Sequence, residues 1–281
     1  MQNRISAVIP VYHGEKTIKE TFESIKGIVD EIIVVHDGPC SDNTLKIARK
    51  FTKKVYSLPK RKGRSVFPFA FGLRKAKYEW VLKLDDDESL SDELRKNIRK
   101  LIQNNEIDAY SFIHPLWDGK KSVTKTWPRK VALARKSKIS YLGFPGFDMT
   151  LNVSSGKVKK TNYIIIHKPK ENQDVGFKGF REKVMKRYAP SQAKNLLKDF
   201  KEFPTFQYDK KNFPLKIKIR TKLPVINNTI YALLVFFKQM FYEGAWKEGN
   251  KGFNVVAKTF IYNIYLGYLI HKEKIKQKKY S

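Results

Sequence analysis

The chain has 281 residues, of which 41% are apolar and 13% aromatic, a composition that allows a sizeable core and excludes a disordered protein. Lys and Arg number 57 against 27 Asp and Glu, giving a formal charge of +30. Such a charge predicts an anionic partner: a nucleic acid, a phosphorylated substrate or an anionic membrane surface. The single cysteine, Cys40, excludes a disulfide within the chain and a cysteine-rich zinc site.

The N-terminal part of the chain alternates short apolar runs with amphipathic segments. The runs typical of buried strands are residues 5–12, 31–37, 53–58 and 79–84. Helical periodicity follows them at residues 16–26, 45–51, 64–76 and 91–102. This order predicts an α/β fold with a parallel sheet and crossover helices. Ligands of such sheets bind beyond the carboxyl ends of the strands, where four polar loops are expected to converge.

The most informative loop is the acidic triplet Asp85, Asp86 and Asp87, which directly follows the fourth apolar run. Carboxylates at positions i and i+2 can share one divalent cation, Mn²⁺ or Mg²⁺, and leave positions open for substrate oxygens. An acidic turn that caps the helix beginning near Ser91 is the alternative. Asp37 also follows an apolar run, and it is either a turn residue or an acceptor for hydrogen bonds from a nucleobase or ribose.

Three segments carry a family resemblance: AVIPVYHGEKTIKETFESI, DEIIVVHDGPCSDNT and YEWVLKLDDDESL. Together, residues 4–102 resemble the nucleotide-binding half of family 2 glycosyltransferases with the GT-A fold. The resemblance implies that a nucleoside pocket lies beside an Asp-x-Asp metal motif. The implied nucleotide-binding residues are Pro10, Tyr12, Glu15, Asp37, Arg64, Asp85 and Asp86. The implied metal ligands are Asp85, Asp87 and His167.

The chain departs from the family pattern before the fourth strand, where many relatives have Arg-Asn and this chain has Phe69-Ala70. We expect a basic residue of the preceding loop, among them Arg64, to supply the missing charge.

A weaker resemblance follows in TWPRKVALARKSKISYLGFPGFDMTL and NYIIIHKPK, which are similar to transferases of the lipopolysaccharide core and related cell-surface glycans. Phe147-Asp148 stands where those proteins have His-Glu, which implies that Asp148 is the catalytic base. His167 is implied as a third metal ligand or a phosphate contact. Lys130 and Arg135, on an expected strand, are predicted to contact the diphosphate or the acceptor, with solvated surface as the alternative.

The remaining segments are less regular. Strand-like pieces at residues 107–114, 122–127, 130–136 and 162–167 predict mixed or antiparallel pairing. From Lys210 to Ser281 there are 15 Lys or Arg and three Asp or Glu, interleaved with large apolar side chains. Two amphipathic helices are expected there, lying in a membrane interface or, alternatively, packed on the catalytic domain. No apolar run reaches the roughly 18 residues of a spanning helix.

These observations predict a GT-A catalytic domain at residues 1–205, with a nucleotide-binding half (1–102) and an acceptor half (103–205), followed by a basic helical region at 206–281. The predicted activity is metal-dependent, inverting transfer of a sugar from a nucleotide-diphosphate donor to a glycan or lipid-linked acceptor. We expect a cytoplasmic protein held on the inner face of the cell membrane. A polyprenyl-phosphate sugar synthase, a basic nucleic-acid-binding protein and an inactive lipid-binding relative remain alternatives.

Overall fold

The computed structural model describes residues 3–60, 66–142, 151–153, 156–169, 176–198, 205–206 and 212–280. Its strands are β1 (Ile5–Val11), β2 (Glu31–His36), β3 (Val55–Ser57), β4 (Trp80–Lys83), β5 (Glu88–Leu90), β6 (Ala109–Ile113), β7 (Arg129–Arg135), β8 (Tyr141–Leu142), β9 (Val158–His167) and β10 (Thr205–Phe206). Its helices are α1 (Ile18–Ile25), α2 (Thr44–Ala48), α3 (Val66–Lys75), α4 (Asp92–Leu101), α5 (Phe177–Gly179), α6 (Ala189–Leu196), α7 (Asn212–Lys222), α8 (Pro224–Phe237) and α9 (Gly249–Tyr280). Phe180–Tyr188 and Lys238–Tyr242 form π-helical turns.

Eight of the described strands form one sheet in the order β3-β2-β1-β4-β7-β6-β9-β5. The first four are parallel, as the alternation of strands and helices predicts. Beyond them the pairing is mixed, because β7 runs antiparallel to β4 and β6, whereas β9 runs parallel to β6. The expectation of mixed pairing in the middle of the chain is therefore confirmed.

Helices cover both faces of this sheet. On one face α1 and α4 bury Phe22 and Leu94 against alternate residues of β1 and β4. On the other face α3 buries Phe69 and Leu73 against Val8 and its neighbours. Strands covered on both sides read as continuous apolar runs, which explains why they are visible in the sequence.

Two sequence expectations fail in this region. β5 was not predicted, since Glu88–Leu90 looks like part of an acidic turn, yet it pairs antiparallel with β9. Residues 122–127, expected as a strand, make only an isolated bridge between Trp117 and Ser122. Their main-chain N–H groups have other partners: those of Lys125 and Thr126 donate to the Glu248 carboxylate, and that of Val123 donates to the Leu116 carbonyl oxygen. A strand partner is then unnecessary.

The C-terminal helices form a bundle that contacts the sheet domain, for example where the Lys160 ammonium of β9 lies 4.6 Å from the centroid of the Tyr242 ring. α8 and α9 cross closely, since a Cβ on Gly267 would lie 2.6 Å from the carbonyl oxygen of Pro224. Ala245 and Val256 pack against Trp127 of the preceding domain. Within the described ranges, no helix is both long and apolar enough to cross a bilayer. The domain boundary near residue 205 stays a prediction.

Candidate functional site

The loops that follow the parallel strands meet at the carboxyl edge of the sheet. Asp37, buried directly after β2, donates its main-chain N–H to the end of β1 at 2.9 Å. Glu15, after β1, accepts the main-chain N–H of Asn43 at 3.0 Å. Ser57, the last residue of β3, donates its hydroxyl to the Gly38 carbonyl oxygen at 2.5 Å. The loops after β1 and β2 and the end of β3 thus meet at this edge as predicted, whereas residues 61–65 of the third loop lie outside the described residues.

The predicted nucleoside residues surround this edge. Pro10 lies within β1 and is buried. Tyr12 is half-buried just beyond β1, with its ring centroid 4.0 Å from that of His13 and 5.6 Å from that of His36. Pro10, Tyr12, Glu15 and Asp37 therefore lie on neighbouring segments, although their contact with a nucleotide stays a prediction.

Asp86 is oriented differently from its two neighbours in the triplet. Its Oδ2 accepts the Thr17 hydroxyl at 3.0 Å, and its carbonyl oxygen accepts the Thr21 hydroxyl at 3.1 Å. A Cβ on Gly14 would lie 2.7 Å from the same Oδ2, so only glycine allows this approach of the β1 loop. These contacts tie the acidic loop to α1, and a nucleotide contact by Asp86 stays a prediction.

The acidic loop surrounds a buried lysine. The Lys130 ammonium donates to Asp85 Oδ2 at 3.2 Å and to both Glu88 carboxylate oxygens at 2.5 Å, and Lys130 and Glu88 are almost fully buried. Three acceptors use its three N–H donors. The predicted role of Lys130 as a diphosphate or acceptor contact is therefore corrected: its ammonium is an internal counter-ion of the carboxylates.

The two charges stabilise each other. Burial raises the pKa of Glu88, but the Lys130 ammonium and a hydrogen bond with His114 outweigh it and hold that pKa well below 4.5. Burial lowers the pKa of Lys130, but Asp85 and Glu88 raise it above 10.5. The pair is therefore ionised across the physiological pH range.

Two histidines lie beside these carboxylates. His114 Nε2 is 2.7 Å from Glu88 Oε1, and its ring stacks on that of His167 with centroids 4.6 Å apart. His167 Nε2 lies 3.7 Å from Asp87 Oδ2. The antiparallel register of β5 and β9 places Glu88 opposite His167. We name this group the acidic centre; its members are Asp85, Asp87, Glu88, His114, Lys130 and His167.

The acidic centre has donors suited to a divalent cation. Asp85 Oδ1 is buried and has no hydrogen-bond partner among the described residues. Burial raises the pKa of Asp87, an effect that His167 opposes and the Asp85 and Glu88 carboxylates reinforce. A cation near Asp85 Oδ1, Asp87 and His167 would satisfy the unpartnered oxygen and reduce the repulsion. Carboxylate oxygens and an imidazole nitrogen fit Mn²⁺ well, and the carboxylates fit Mg²⁺.

Glu88 and His114 were missed in the sequence. The signal for Glu88 is that it is a fourth consecutive acidic residue at the start of the short run "ESL". The signal for His114 is that it ends an apolar run, the pattern that selected His167. Glu88 and His114 come into contact only because strands that are far apart in the sequence pair in the sheet.

Three other predicted site residues have different outcomes. Arg135 is paired with Trp80, the first residue of β4, so it lies at the sheet edge opposite the acidic loop. Its guanidinium stacks 4.7 Å from the Trp80 ring and donates to the Ile107 carbonyl, so the predicted diphosphate or acceptor contact of Arg135 is corrected to a structural role. Arg64 and Asp148 lie outside the described residues, and their roles stay predictions.

Comparison with known families identifies the family of the chain. The profile described as "Glycosyl transferase family 2" matches residues 6–170, more than half of the chain. The chain belongs to glycosyl transferase family 2. The family and enzyme class predicted from the sequence are thereby confirmed, and the fold is the GT-A α/β fold followed by a helical C-terminal region.

Several curated glycosyltransferases are similar to this chain over part of their length. An uncharacterized glycosyltransferase of Rickettsia conorii is 34% identical over 110 residues, covering 39% of this chain and 38% of that protein. One from Mycoplasma genitalium is 28% identical over 121 residues, covering 39% and 40%. The chain thus aligns with no more than about two fifths of these two relatives.

Solved structures give more distant similarities. S. aureus TarS 1–349 in complex with UDP-GlcNAc has a TM-score of 0.47 at 14% identity, covering 97% of this chain and 92% of that one. Glucosyl-3-phosphoglycerate synthase from Mycobacterium tuberculosis, in complex with Mn²⁺, UDP and phosphoglyceric acid, has a TM-score of 0.41 at 16% identity, covering 60% and 72%. The assignment to family 2 therefore rests on the profile that matches residues 6–170.

Proposed function

We propose that this family 2 chain transfers a sugar from a nucleoside-diphosphate donor to a glycan or lipid-linked acceptor, with Mn²⁺ or Mg²⁺ as cofactor. The observation that carries the proposal is the acidic centre at the carboxyl edge of the sheet. There a buried carboxylate oxygen of Asp85 has no partner among the described residues, beside Asp87 and His167. Asp85, Asp87 and His167 would hold the cation, which when bound stabilises charge on the leaving diphosphate.

Other residues of the chain would position the acidic loop, bind the nucleoside and accept the proton. Glu88 and Lys130 fix the acidic loop, because their buried ion pair leaves Asp85 Oδ2 bonded and Oδ1 available. Asp37 and Tyr12, on the loops after β2 and β1, would bind the nucleoside. By resemblance, Asp148 would take the proton from the attacking hydroxyl, a general-base contribution of about 10²–10⁴-fold. By the same resemblance the transfer would invert the anomeric configuration.

A calorimetric titration tests the donor site. UDP, GDP and CDP are titrated into the protein with Mn²⁺ and again with a chelator. We expect one nucleotide to bind, at least about tenfold (1.4 kcal/mol) more tightly with the metal. Absence of binding by all three, combined with salt-sensitive binding to RNA, would contradict the proposal and favour the nucleic-acid alternative.

We further propose that the acceptor is presented at an anionic membrane surface on the cytoplasmic side. α8 buries Asn228 and Ala232, which lie on its inner face. Its other face exposes Ile230, Leu234 and Phe237, with 51%, 65% and 56% of each residue accessible. An apolar helix face in a basic region favours the interface of an anionic bilayer, where each Lys or Arg adds about 1 kcal/mol.

The double substitution Leu234→Glu/Phe237→Glu is expected to weaken binding to vesicles containing phosphatidylglycerol by about 10²-fold or more, since each large side chain contributes about 1.5–3 kcal/mol when buried. Co-sedimentation measures the effect. Val158→Glu is the matched control, because Val158 is 42% exposed on β9, outside the helical region. Equal losses in the two variants, or no loss in the double variant, would contradict membrane docking by α8.

A further inference from the structure

A second cluster of metal-binding side chains lies after β2. One ligand atom from each of His36, Cys40 and Asp42 lies within 4.8 Å of the other two. An imidazole, a thiol and a carboxylate are the side chains from which proteins build zinc sites. The acidic centre, in contrast, lies after β4, and β1 separates β2 from β4 in the sheet. The two clusters are therefore distinct.

His36 has the hydrogen bonding of a metal ligand. The residue is fully buried, and its Nδ1 is 2.7 Å from the Gly38 carbonyl oxygen, which can only accept a hydrogen bond. Nδ1 is therefore protonated, and in the neutral ring Nε2 carries the lone pair. Nε2 is buried and has no partner among the described residues. Zinc-bound histidines characteristically donate their other ring N–H to a carbonyl or carboxylate in this way.

Cys40 and Asp42 lie beside this histidine. The Cys40 thiol donates to Asp42 Oδ1 at 3.2 Å. A cation bound between the sulfur and this oxygen would displace the thiol proton. The Thr44 main-chain N–H also donates to Asp42 Oδ1, at 3.0 Å. The carboxylate is thus held in place beside the sulfur.

His13, on the loop after β1, lies next to Asp42 at the side of this cluster. Its Nδ1 lies 3.6 Å from Asp42 Oδ2, and 37% of its side chain is exposed, which leaves a path from solvent. Its φ of 53° lies in the left-handed region, uncommon for a residue other than glycine. Such backbone conformations cluster at ligand-binding and functional positions.

We propose that His36, Cys40 and Asp42, with His13 as the fourth ligand, form a Zn²⁺ site that joins the loop after β1 to the loop after β2. The set contains two nitrogens, one sulfur and one oxygen, which suits the tetrahedral coordination of zinc. Magnesium binds poorly to such a set, because it prefers oxygen ligands. The site does not depend on the proposed transferase activity.

Cobalt(II) is the probe for this site, because a Co²⁺–thiolate bond gives a charge-transfer absorption that oxygen ligands do not give. We expect the wild-type chain to show this band at one equivalent and Zn²⁺ to displace it. Cys40→Ser should remove the band and weaken Zn²⁺ binding by at least about 10–100-fold, the loss seen when a supporting partner of a metal ligand is removed. Ser41→Ala, an exposed change in the same loop, should keep both.

Two further measurements separate this site from the acidic centre. The band should persist in Asp87→Asn. Stoichiometric Zn²⁺ should also slow modification of Cys40, the only thiol of the chain, by Ellman's reagent at least tenfold, whereas Mg²⁺ should not. Absence of the band in the wild type, or thiol reactivity unchanged by saturating Zn²⁺, would overturn the zinc site while leaving metal-dependent nucleotide binding unaffected.

Discussion

Replacing Asp87 with Asn is expected to remove metal-dependent nucleotide binding and to lower glycosyl transfer by about 10³-fold, the upper end of the loss for one group that stabilises transition-state charge. Asn preserves the shape of the side chain but removes the charge that attracts the cation. The neighbouring unpartnered oxygen of Asp85 cannot hold the metal alone. Calorimetry with Mn²⁺ and the nucleotide found for the wild type measures the binding loss.

Asp92→Asn is the matched control for this substitution. It removes one carboxylate five residues further along, from an exposed position in the first turn of α4. It should change helix stability by only about 0.3–1 kcal/mol and leave nucleotide binding unchanged. If Asp87→Asn bound the nucleotide with undiminished metal dependence, the assignment of Asp87 as a ligand would be wrong.

Lys130→Met is expected to reduce the free energy of unfolding by about 3–5 kcal/mol, because it leaves the buried Glu88 carboxylate without its counter-ion. Methionine is of similar length and keeps the packing of the side-chain stem. Urea denaturation followed by circular dichroism measures the change, provided that the slope of the transition stays constant.

The double variant Glu88→Gln/Lys130→Met tests whether the charge causes the loss. It removes both ions, so it should recover much of the stability that the single variant loses. Additive losses in the double variant would show that packing, and not the unpaired charge, explains the single variant.

The same ion pair has a defined pH dependence. The pKa of Glu88 is lowered in the folded chain, so its contribution is complete above its ordinary value of 4.5 and is lost as the pH falls through the folded value. The pKa of Lys130 is raised, so its contribution is complete below 10.5 and is lost as the pH rises through the folded value. Between these limits the pair stabilises the fold by a constant amount.

The sequence predicts the part of this structure that depends on local patterns. β1, β2 and β4 are buried on both faces, so a continuous apolar run marks each of them and the polar residue after it marks the site edge. Asp37, Asp85 and Asp87 could therefore be selected without coordinates. The strands that pair antiparallel beyond β4 left a weaker hydrophobic pattern in the sequence. The three residues of β5 are too few to show a periodicity.

The residues that complete the acidic centre depend on non-local pairing. Glu88 meets His114 and Lys130 only because β5, β6, β7 and β9 lie in one sheet, and no local spacing encodes that order. The error for Lys130 has the same origin. In a chain with 57 basic residues, a single lysine gives no sign that it is buried. Arg135 was misplaced for a related reason. β7 runs antiparallel to β4, so its last residue, Arg135, lies beside the first residue of β4 and far from the acidic loop that follows β4.

The buried lysine also determines the net charge of the acidic centre. Asp85, Asp87 and Glu88 contribute three negative charges when ionised, and the Lys130 ammonium cancels one of them. The remainder equals the charge of a single divalent ion, so one such ion makes the inner cluster neutral. A bound diphosphate would then add negative charge that the cation does not neutralise, and basic side chains outside the acidic centre would have to balance it. The chain has 57 Lys and Arg residues from which that positive charge can come.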